Sequence, residues 1–287
     1  MSLLWQVLVN GVLLGGLYAL MALGLALVWG VLNIVNLAHG AFIMLGAYAC
    51  YYLFTGLSID PFAALPLAML ALFAFGYLLQ RYVLNLMIRA PMFNTLLITF
   101  GIDVVLTFLA QIFFSADFRT INPSYAGSNF ALFGATVPFV RVLAFIVAIG
   151  LTVALWLFLG HARVGRAIRA AAQNLTAARL YGVEPRRIYA LTFALGAALA
   201  GAAGGLYGVV SQVNPYIGAS LTAKSFAIAI IGGLDSPLGV IVGGLFLGIV
   251  ESLTSLYIGP TYTDVASFGI LVLVLIVRPT GLLGRAA

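Results

Sequence analysis

The sequence predicts an all-α fold in which a single domain, residues 1–287, forms a polytopic bundle of about eight or nine transmembrane helices. Hydrophobic residues make up 64% of the chain and charged residues only 7%, whereas soluble domains carry about 25% charged residues. A soluble protein of this composition would lack the polar side chains that cover an exterior, and a bilayer removes that requirement. The apolar runs are continuous, while strands of a membrane barrel alternate in polarity over about 10 residues. Helices are therefore predicted throughout.

Nine apolar runs are candidates for membrane-spanning helices, each of which needs roughly 20 mostly apolar residues. In chain order they cover residues 5–30, 38–57, 62–88, 94–115, 139–159, 188–212, 219–233, 237–258 and 264–278. The run 219–233 is short and carries Lys224. A re-entrant or broken helix is therefore the alternative to a full span here, and such a segment is tolerated only where protein or a water-filled cavity shields it.

Basic residues in the connections predict the orientation. The interval 160–187 holds six arginines and one acid, Glu184. Further basic residues lie between the third and fourth spans, at Arg81 and Arg89, and after the last span, at Arg278 and Arg285. Because Lys and Arg accumulate in cytoplasmic loops, these segments and the C-terminus are predicted to lie in the cytoplasm. Nine crossings then place the N-terminus outside.

Several classes of function are not supported by the residues. The basic side chains are spread over short connections and form no face for nucleic acid. Cys50 is the single cysteine and the chain has two histidines, which is too few for a clustered metal site or a Ser-His-Asp arrangement. We therefore expect no catalytic residue, no metal, no cofactor and no nucleic-acid partner, and any ATP hydrolysis must occur in another chain.

Small residues are spaced for close helix packing. Lipid gives helices no hydrophobic reason to associate, so their backbones must approach closely. Pairs of glycines four residues apart occur at Gly11 and Gly15, Gly201 and Gly205, Gly204 and Gly208, Gly239 and Gly243, and Gly244 and Gly248. Residues 35–40 also bear a faint similarity to residues 213–218, and internal repeats are common in transporters.

Polar side chains recur inside the fourth predicted span and at the junction of the first two spans. The fourth span carries Thr95, Thr99, Asp103, Thr107 and Gln111, which drift slowly around one side of a helix. They form either an interhelical hydrogen-bond network or one wall of a translocation path. Asn33, Asn36 and His39 form a second cluster, and their three-residue spacing would place them on one helical face. These are either structural hydrogen-bonding groups or contacts for a gate or a solute.

Lys224 and Glu251 are further charged residues at membrane depth. An intramembrane charge is costly, and such groups face the bundle or pair with one another. We expect Lys224 to pair with either Glu251 or Asp103, in the role of fixing helices together or in the role of transport. The candidates for a translocation path are therefore Asn33, Asn36, His39, Thr99, Asp103, Lys224 and Glu251.

The segment 160–187 contains the signals of a short cytoplasmic helix. Asn174 is suited to cap a helix that includes Ala177 and Ala178. Gly182 is suited to end it, and Pro185 prevents its continuation. A rigid helix between two spans can dock into a groove on a soluble partner. The alternative is an ordinary basic loop that satisfies the orientation rule.

Residues Thr176 to Gly182 resemble the E-A-A-x-x-x-G coupling loop of ABC importer permeases, with Thr176 at the position of the acid. The whole chain resembles the branched-chain amino-acid (LIV-type) ABC permease family. The stretches that carry this resemblance are residues 16–24, 36–48, 165–173, 232–239 and 278–284. The resemblance implies that the coupling loop includes Arg166, Arg169, Asn174, Thr176, Ala177, Ala178 and Gly182.

The same resemblance implies a function and a set of partners. The chain would be a permease subunit in a bacterial-type inner membrane, moving branched-chain or similar amino acids by alternating access. A second homologous permease, two cytoplasmic ABC ATPases and a periplasmic solute-binding protein would complete the transporter. One alternative is the same class of importer acting on urea or short amides. Another is a stand-alone secondary transporter or channel, in which Asp103, Lys224 and Glu251 would serve ion coupling.

Overall fold

The computed structural model describes residues 2–87, 91–132, 135–234 and 236–284, and it is almost entirely helical. Arg89 and Arg285, which contributed to the predicted orientation, lie outside the described residues. In the described part of the chain, eight helices are long and apolar enough to cross a membrane. A further helix of 16 residues is shorter. The prediction of eight or nine membrane segments is confirmed.

The described helices number eleven, and the bounds of the first five differ from the predicted spans mainly by a few residues. The first six helices are α1 Ser2–Leu32, α2 His39–Leu57, α3 Pro61–Tyr82, α4 Met92–Phe114, α5 Phe139–His161 and α6 Arg163–Gln173. The remaining helices are α7 Leu175–Leu180, α8 Pro185–Val210, α9 Ile217–Gly232, α10 Pro237–Tyr257 and α11 Thr263–Val277. Short 3-10 turns cover Leu84–Met87 and Pro260–Tyr262.

Two elements were not predicted from the sequence. The first is α6, which fills much of the basic interval after α5. The second is an antiparallel hairpin of β1 Asn129–Leu132 and β2 Ala135–Pro138. The hairpin packs on the first helix, where Leu13 contacts Ala135 and Val137. It is a small addition to a fold that is otherwise helical.

Glycines allow the closest helix contacts. Gly15 of α1 lies against the backbone of α10 at Gly244, and Gly248 in turn lies against Gly15. In the second close pair, Gly204 of α8 lies against the Ile43 carbonyl of α2. The prediction that these glycine pairs mark close helix packing is therefore confirmed at both interfaces.

Helices α2 and α9 both begin inside the bundle. After α1 ends, residues 33–38 are not helical and turn back, and His39 Nε2 lies 2.9 Å from the Met21 carbonyl oxygen, midway along α1. After α8 ends, residues 211–216 do the same. The start of α9 then lies against the start of α2, where a side chain on Gly40 would overlap the backbone of Gly218. Of the two alternatives left open for 219–233, a broken helix rather than a full span is the one consistent with this arrangement.

The two ends of the chain are arranged as an inverted repeat. Helices α1 to α4 and α8 to α11 follow one another in the same order, and α1 packs closely on α10 as α3 does on α8. Helices α2 and α9 contact each other at their starts and run toward opposite ends of the bundle. The faint similarity between residues 35–40 and 213–218 falls at equivalent positions, as inverted repeats predict.

The basic segments lie together at one end of the bundle. Val31 at the end of α1 packs with Ile168 of α6 and Tyr189 of α8. Asn85 Nδ2 donates to the backbone oxygen of Arg186 at 3.2 Å. Because positive residues mark the cytoplasmic side, this end is the expected cytoplasmic face. The N-terminus of α1 lies at the other end, in agreement with the predicted orientation.

Replacement of Gly15 tests the close contact between α1 and α10. A Cβ at this position would lie 2.6 Å from Leu245 Cα and 2.9 Å from the Gly244 oxygen. We expect Gly15→Leu to lower stability by about 1–3 kcal/mol through overpacking, measured as the temperature at which detergent-solubilised protein loses its monodisperse peak. Gly150→Leu on α5 is the matched control, because no atom lies within 4 Å of a Cβ there. Equal transition temperatures for the two variants would contradict the packing described.

Candidate functional site

Lys224 forms the charged centre of the bundle. Its Nζ lies 3.0 Å from Glu251 Oε1 and 3.0 Å from Asp264 Oδ1. The three residues come from α9, α10 and α11, so the ion pairs join these helices. The predicted pairing of Lys224 with Glu251 is confirmed. The other alternative, a pair between Lys224 and Asp103, is not found. The ion-paired partners of Lys224 in the described part of the chain are Glu251 and Asp264.

Hydrogen bonds complete the surroundings of the Glu251 carboxylate. Tyr18 donates its hydroxyl proton to Oε2 at 2.6 Å, and Ser267 donates to Oε1 at 2.7 Å. Lys224 Nζ lies 3.4 Å from the Tyr18 hydroxyl and 5.4 Å from the centre of its ring. A buried charge is tolerated when it is paired and its remaining positions are hydrogen-bonded. The network of Tyr18, Lys224, Glu251, Asp264 and Ser267, hereafter the ion network, therefore ties α1 to α9, α10 and α11.

The ion network runs from the interior to the surface. The side chain of Glu251 is 5% exposed, that of Lys224 is 12% exposed and that of Asp264 is 55% exposed. Asp264 lies in the first turn of α11, while Arg278 follows the end of that helix on the expected cytoplasmic side. The exposed end of the network therefore faces the opposite, outer side.

A second polar region surrounds the non-helical segment before α2. Thr99 Oγ1 donates to the Val35 carbonyl at 2.9 Å and accepts from the Leu37 amide at 3.2 Å. Asn36 and His39 are buried beside this segment. Asn36 Oδ1 and, one helical turn beyond Thr99, Asp103 Oδ1 are buried without a hydrogen-bond partner among the described residues.

The structure separates Asn33 from its predicted neighbours. Residues 33–38 are not helical, so the expectation that Asn33, Asn36 and His39 share one helical face is wrong. Asn33 has a φ of 53° at the end of α1 and is exposed. It lines a small cytoplasmic-side cavity with Gln80, whereas Asn36 and His39 lie deeper.

The polar stripe on α4 faces the protein, as predicted. Thr95 and Thr99 are buried, and the following members of the stripe are half-buried. The opposite side of the same helix exposes large apolar residues, among them Leu97, Val105 and Ile112. Lipid or a partner subunit must cover that side, while the stripe borders the interior.

Thr222 joins α9 to the segment before α2. Its Oγ1 accepts from the Gly40 amide at 2.8 Å and donates to the Leu37 carbonyl at 3.2 Å. Thr222 lies on α9 two positions before Lys224, and residues at this spacing on a helix do not face each other. The segment before α2 and the ion network therefore lie on different sides of α9. Both are near the starts of the two broken helices, which is where transporters commonly place their binding sites.

The predicted short cytoplasmic helix is present as α7. The Ala177 amide donates to Asn174 Oδ1 at 2.9 Å, which is the predicted cap. Gly182 has a φ of 82°, and the Val183 amide closes the helix by donating to the Ala178 carbonyl at 3.1 Å. Ala178 is buried, whereas Arg166, Arg169 and Thr176 are exposed.

Two large apolar side chains are exposed at the end of α7, on its last residue and on the residue that caps it. Neither was among the candidate residues predicted from the sequence. Leu180 is 84% exposed and Tyr181 is 90% exposed. Both lie between the predicted cap residues Asn174 and Gly182, so their position in the motif was visible. Their exposure, in contrast to the burial of Ala178, could be seen only in the structure.

Three residues of the ion network were also missed from the sequence. Asp264 is the first residue of the last predicted span and was not singled out there, and Tyr18 and Ser267 carry no charge to mark them. For Asp264 the sequence does contain a signal. The connection of residues 258–262 is short, so α10 and α11 must lie side by side, and this brings Asp264 toward Glu251. For Tyr18, which lies 233 positions from Glu251, no local signal exists.

Comparison with known proteins finds relatives over almost the whole chain. A family model described as "Branched-chain amino acid transport system / permease component" matches residues 7–275. The high-affinity branched-chain amino acid transport system permease protein BraD of Pseudomonas aeruginosa is 35% identical, covering 98% of this chain and 95% of its own. The LivH permease protein of Escherichia coli K12 is also 35% identical, and the match again covers 98% of this chain and 95% of the relative. The LivM permease protein of the same organism is 30% identical, and that match covers 93% of this chain and 68% of LivM. No solved structure matches the chain.

Substitutions in the ion network test its contribution to stability. We expect Glu251→Ala to destabilise the protein by about 3–5 kcal/mol, because Lys224 loses its buried partner. Asp264→Asn is the control and should cost about 0–1 kcal/mol, because water screens an exposed pair. The double variant Lys224→Met/Glu251→Leu should be more stable than Glu251→Ala, since it leaves no unpaired buried charge. Thermal unfolding in one detergent measures all three, and equal losses for Glu251→Ala and Asp264→Asn would contradict the network.

Proposed function

The chain belongs to the branched-chain amino acid transport permease family, and from this premise we propose that it is the membrane-spanning subunit of an ABC importer that carries branched-chain or similar amino acids across the bacterial inner membrane. The observation that carries this proposal is the exposed tip of α7 in a multi-pass permease. A subunit driven by a separate ATPase needs a surface on which that ATPase docks, and a rigid, exposed apolar tip at the cytoplasmic end suits this role.

Helix α7 has the properties of a docking element. The Asn174 cap and the Gly182 turn fix its two ends, and buried Ala178 anchors it. Leu180 and Tyr181 then project from a rigid base, and apolar or aromatic side chains of this kind commonly fill a groove on a partner. Arg166, Arg169 and Thr176 are exposed on the same segment and supply polar contacts at its edge.

Packing gives a route by which motion at α7 reaches the interior. Helix α6, which continues into α7, packs through Ile168 and Ala171 against Val31 and Tyr189. Those residues belong to the end of α1 and the start of α8, the helices that precede the two broken segments. A displacement of α7 by an ATPase would therefore move both. ATP would act because one arrangement of the subunits binds it more tightly than the other does.

The proposed translocation path passes the starts of α2 and α9. Asn36, His39, Thr99 and Asp103 border one side of this region. Lys224 and Glu251 border the other side. Asn33 would lie at the cytoplasmic exit. The unpaired buried oxygens of Asn36 and Asp103 support this proposal, because such atoms are normally satisfied and here are available to a solute or to water.

The proposed partners follow from the relatives. Escherichia coli K12 has two permease proteins, LivH and LivM, and both are similar to this chain. We infer that this chain likewise pairs with a second, related permease. Two cytoplasmic ABC ATPases and a periplasmic solute-binding protein complete the proposed transporter. The binding protein would select the solute, so an importer of urea or short amides is the alternative within the same class.

Uptake by reconstituted transporter tests the class of function. We expect proteoliposomes that hold the complete transporter to accumulate leucine, isoleucine and valine only when ATP is present at the ATPase side and the binding protein at the other. A complete transporter that accumulates urea or acetamide instead would replace the proposed substrate class. Uptake by this chain alone, without ATP or other subunits, would contradict the proposal.

Removal of the α7 tip tests the docking role. We expect Leu180→Ala/Tyr181→Ala to weaken assembly with the ATPases by about 2 kcal/mol or more, as loss of interface anchors does, and to abolish ATP-driven uptake. Co-purification of the ATPase subunits and uptake are the measurements. Leu70→Ala on α3 is the control, because Leu70 is a similarly exposed leucine away from the cytoplasmic end. Normal assembly and uptake in the double variant would contradict the docking role.

A further inference from the structure

A basic cleft opens between α3 and α8 at the expected cytoplasmic end. It has a volume of about 610 Å³. Its polar lining residues are Tyr77, Arg81, Asn85, Glu184, Arg186 and Arg187. Neither the ion network nor the α7 tip includes any of them. We propose that this cleft binds the phosphodiester headgroup of an anionic phospholipid.

The charge of the cleft suits an anion. Arg81, Arg186 and Arg187 contribute three positive charges against the single negative charge of Glu184. The ion pairs found in the described part of the chain both involve Lys224, so Glu184 acts on Arg81 through its charge without forming an ion pair with it. Basic pockets between helices on the cytoplasmic side are typical sites for anionic headgroups.

The walls of the cleft are held in place before a ligand arrives. Arg81 Nη1 donates to the Tyr77 hydroxyl at 2.8 Å, and its guanidinium carbon lies 5.9 Å from the ring centres of Tyr77 and of Tyr82. The Asn85 side chain bonds the start of α8 at the Arg186 carbonyl. A guanidinium fixed in this way can present two parallel donors to a phosphate, which adds geometric selectivity to charge.

The apolar flank of the cleft favours a lipid over a soluble phosphate. Leu86 lines the cleft and is 77% exposed. Leu78 and Tyr82 are also exposed beside it on α3. In a bilayer these side chains would lie next to acyl chains while the headgroup contacts the arginines. Tyr77 and Tyr82 suit the membrane interface, where aromatic residues accumulate. A soluble phosphate would leave this apolar flank without a contact.

Lipid retention by the full chain tests the proposal. The protein is released from nanodiscs of phosphatidylethanolamine and phosphatidylglycerol, and native mass spectrometry counts the phosphatidylglycerol that remains bound. We expect Arg81→Gln/Arg186→Gln to bind phosphatidylglycerol about thirtyfold more weakly than the unaltered chain, because each basic residue near the headgroup contributes about a factor of five. Arg163→Gln/Arg278→Gln removes the same charge outside the cleft and should retain the lipid. Equal retention by both double variants, or equal loss, would overturn the site.

A second measurement separates lipid from free phosphate. Inorganic phosphate is titrated against the retained phosphatidylglycerol, and Leu86→Ser is compared with the unaltered chain. We expect phosphate to displace little lipid, and Leu86→Ser to lower lipid retention without loss of the monodisperse protein. Displacement by phosphate at concentrations similar to those of the lipid would identify a free-anion site and overturn the assignment to a phospholipid.

Discussion

The non-helical segments before α2 and α9 place backbone amides and carbonyls inside the bundle, and the surrounding structure is arranged to satisfy them. Hydrocarbon offers no hydrogen bonds, so irregular backbone survives at membrane depth only when protein provides them. Thr99 bonds Val35 and Leu37 from α4, and Thr222 bonds Leu37 and Gly40 from α9. The absence of side chains at Gly40 and Gly218 lets the two helix starts come close enough for these bonds to form.

The same constraint explains where charge is tolerated. Lys224 sits on the short broken helix, close to Thr222 and to the irregular backbone, and is balanced by Glu251 and Asp264. The peripheral helices α4 and α11 leave most of their surface exposed, and they contribute to the polar interior through residues on their inner side, such as Thr99 and Ser267. Polarity is therefore concentrated where helices are interrupted. The periphery is left to lipid and to neighbouring subunits.

Local features could be predicted from the sequence, and features that depend on distant contacts could not. The cap at Asn174 and the turn at Gly182 involve neighbours along the chain, and the eight long apolar runs define their own helices. The separate apolar runs 5–30 and 38–57 predicted a boundary near residues 33–38, but the position of this break inside the bundle depends on contacts with the distant helices α4 and α9. Tyr18, Asp264 and Ser267 belong to the charged site only because α1, α10 and α11 pack together. Leu180 and Tyr181 are exposed whereas Ala178 is buried, and the motif does not specify which of its positions are exposed.

The inverted repeat has a consequence for the energy of transport. Because α1 to α4 and α8 to α11 have the same order in opposite directions, exchanging the conformations of the two units would produce a protein open to the other side with equivalent internal contacts. The two forms would then differ in free energy through the contacts that only one unit makes, among them the ion pairs of Lys224. A ligand or partner that moves such a balance from one to ninety-nine parts to its reverse must favour one form by about 5.5 kcal/mol.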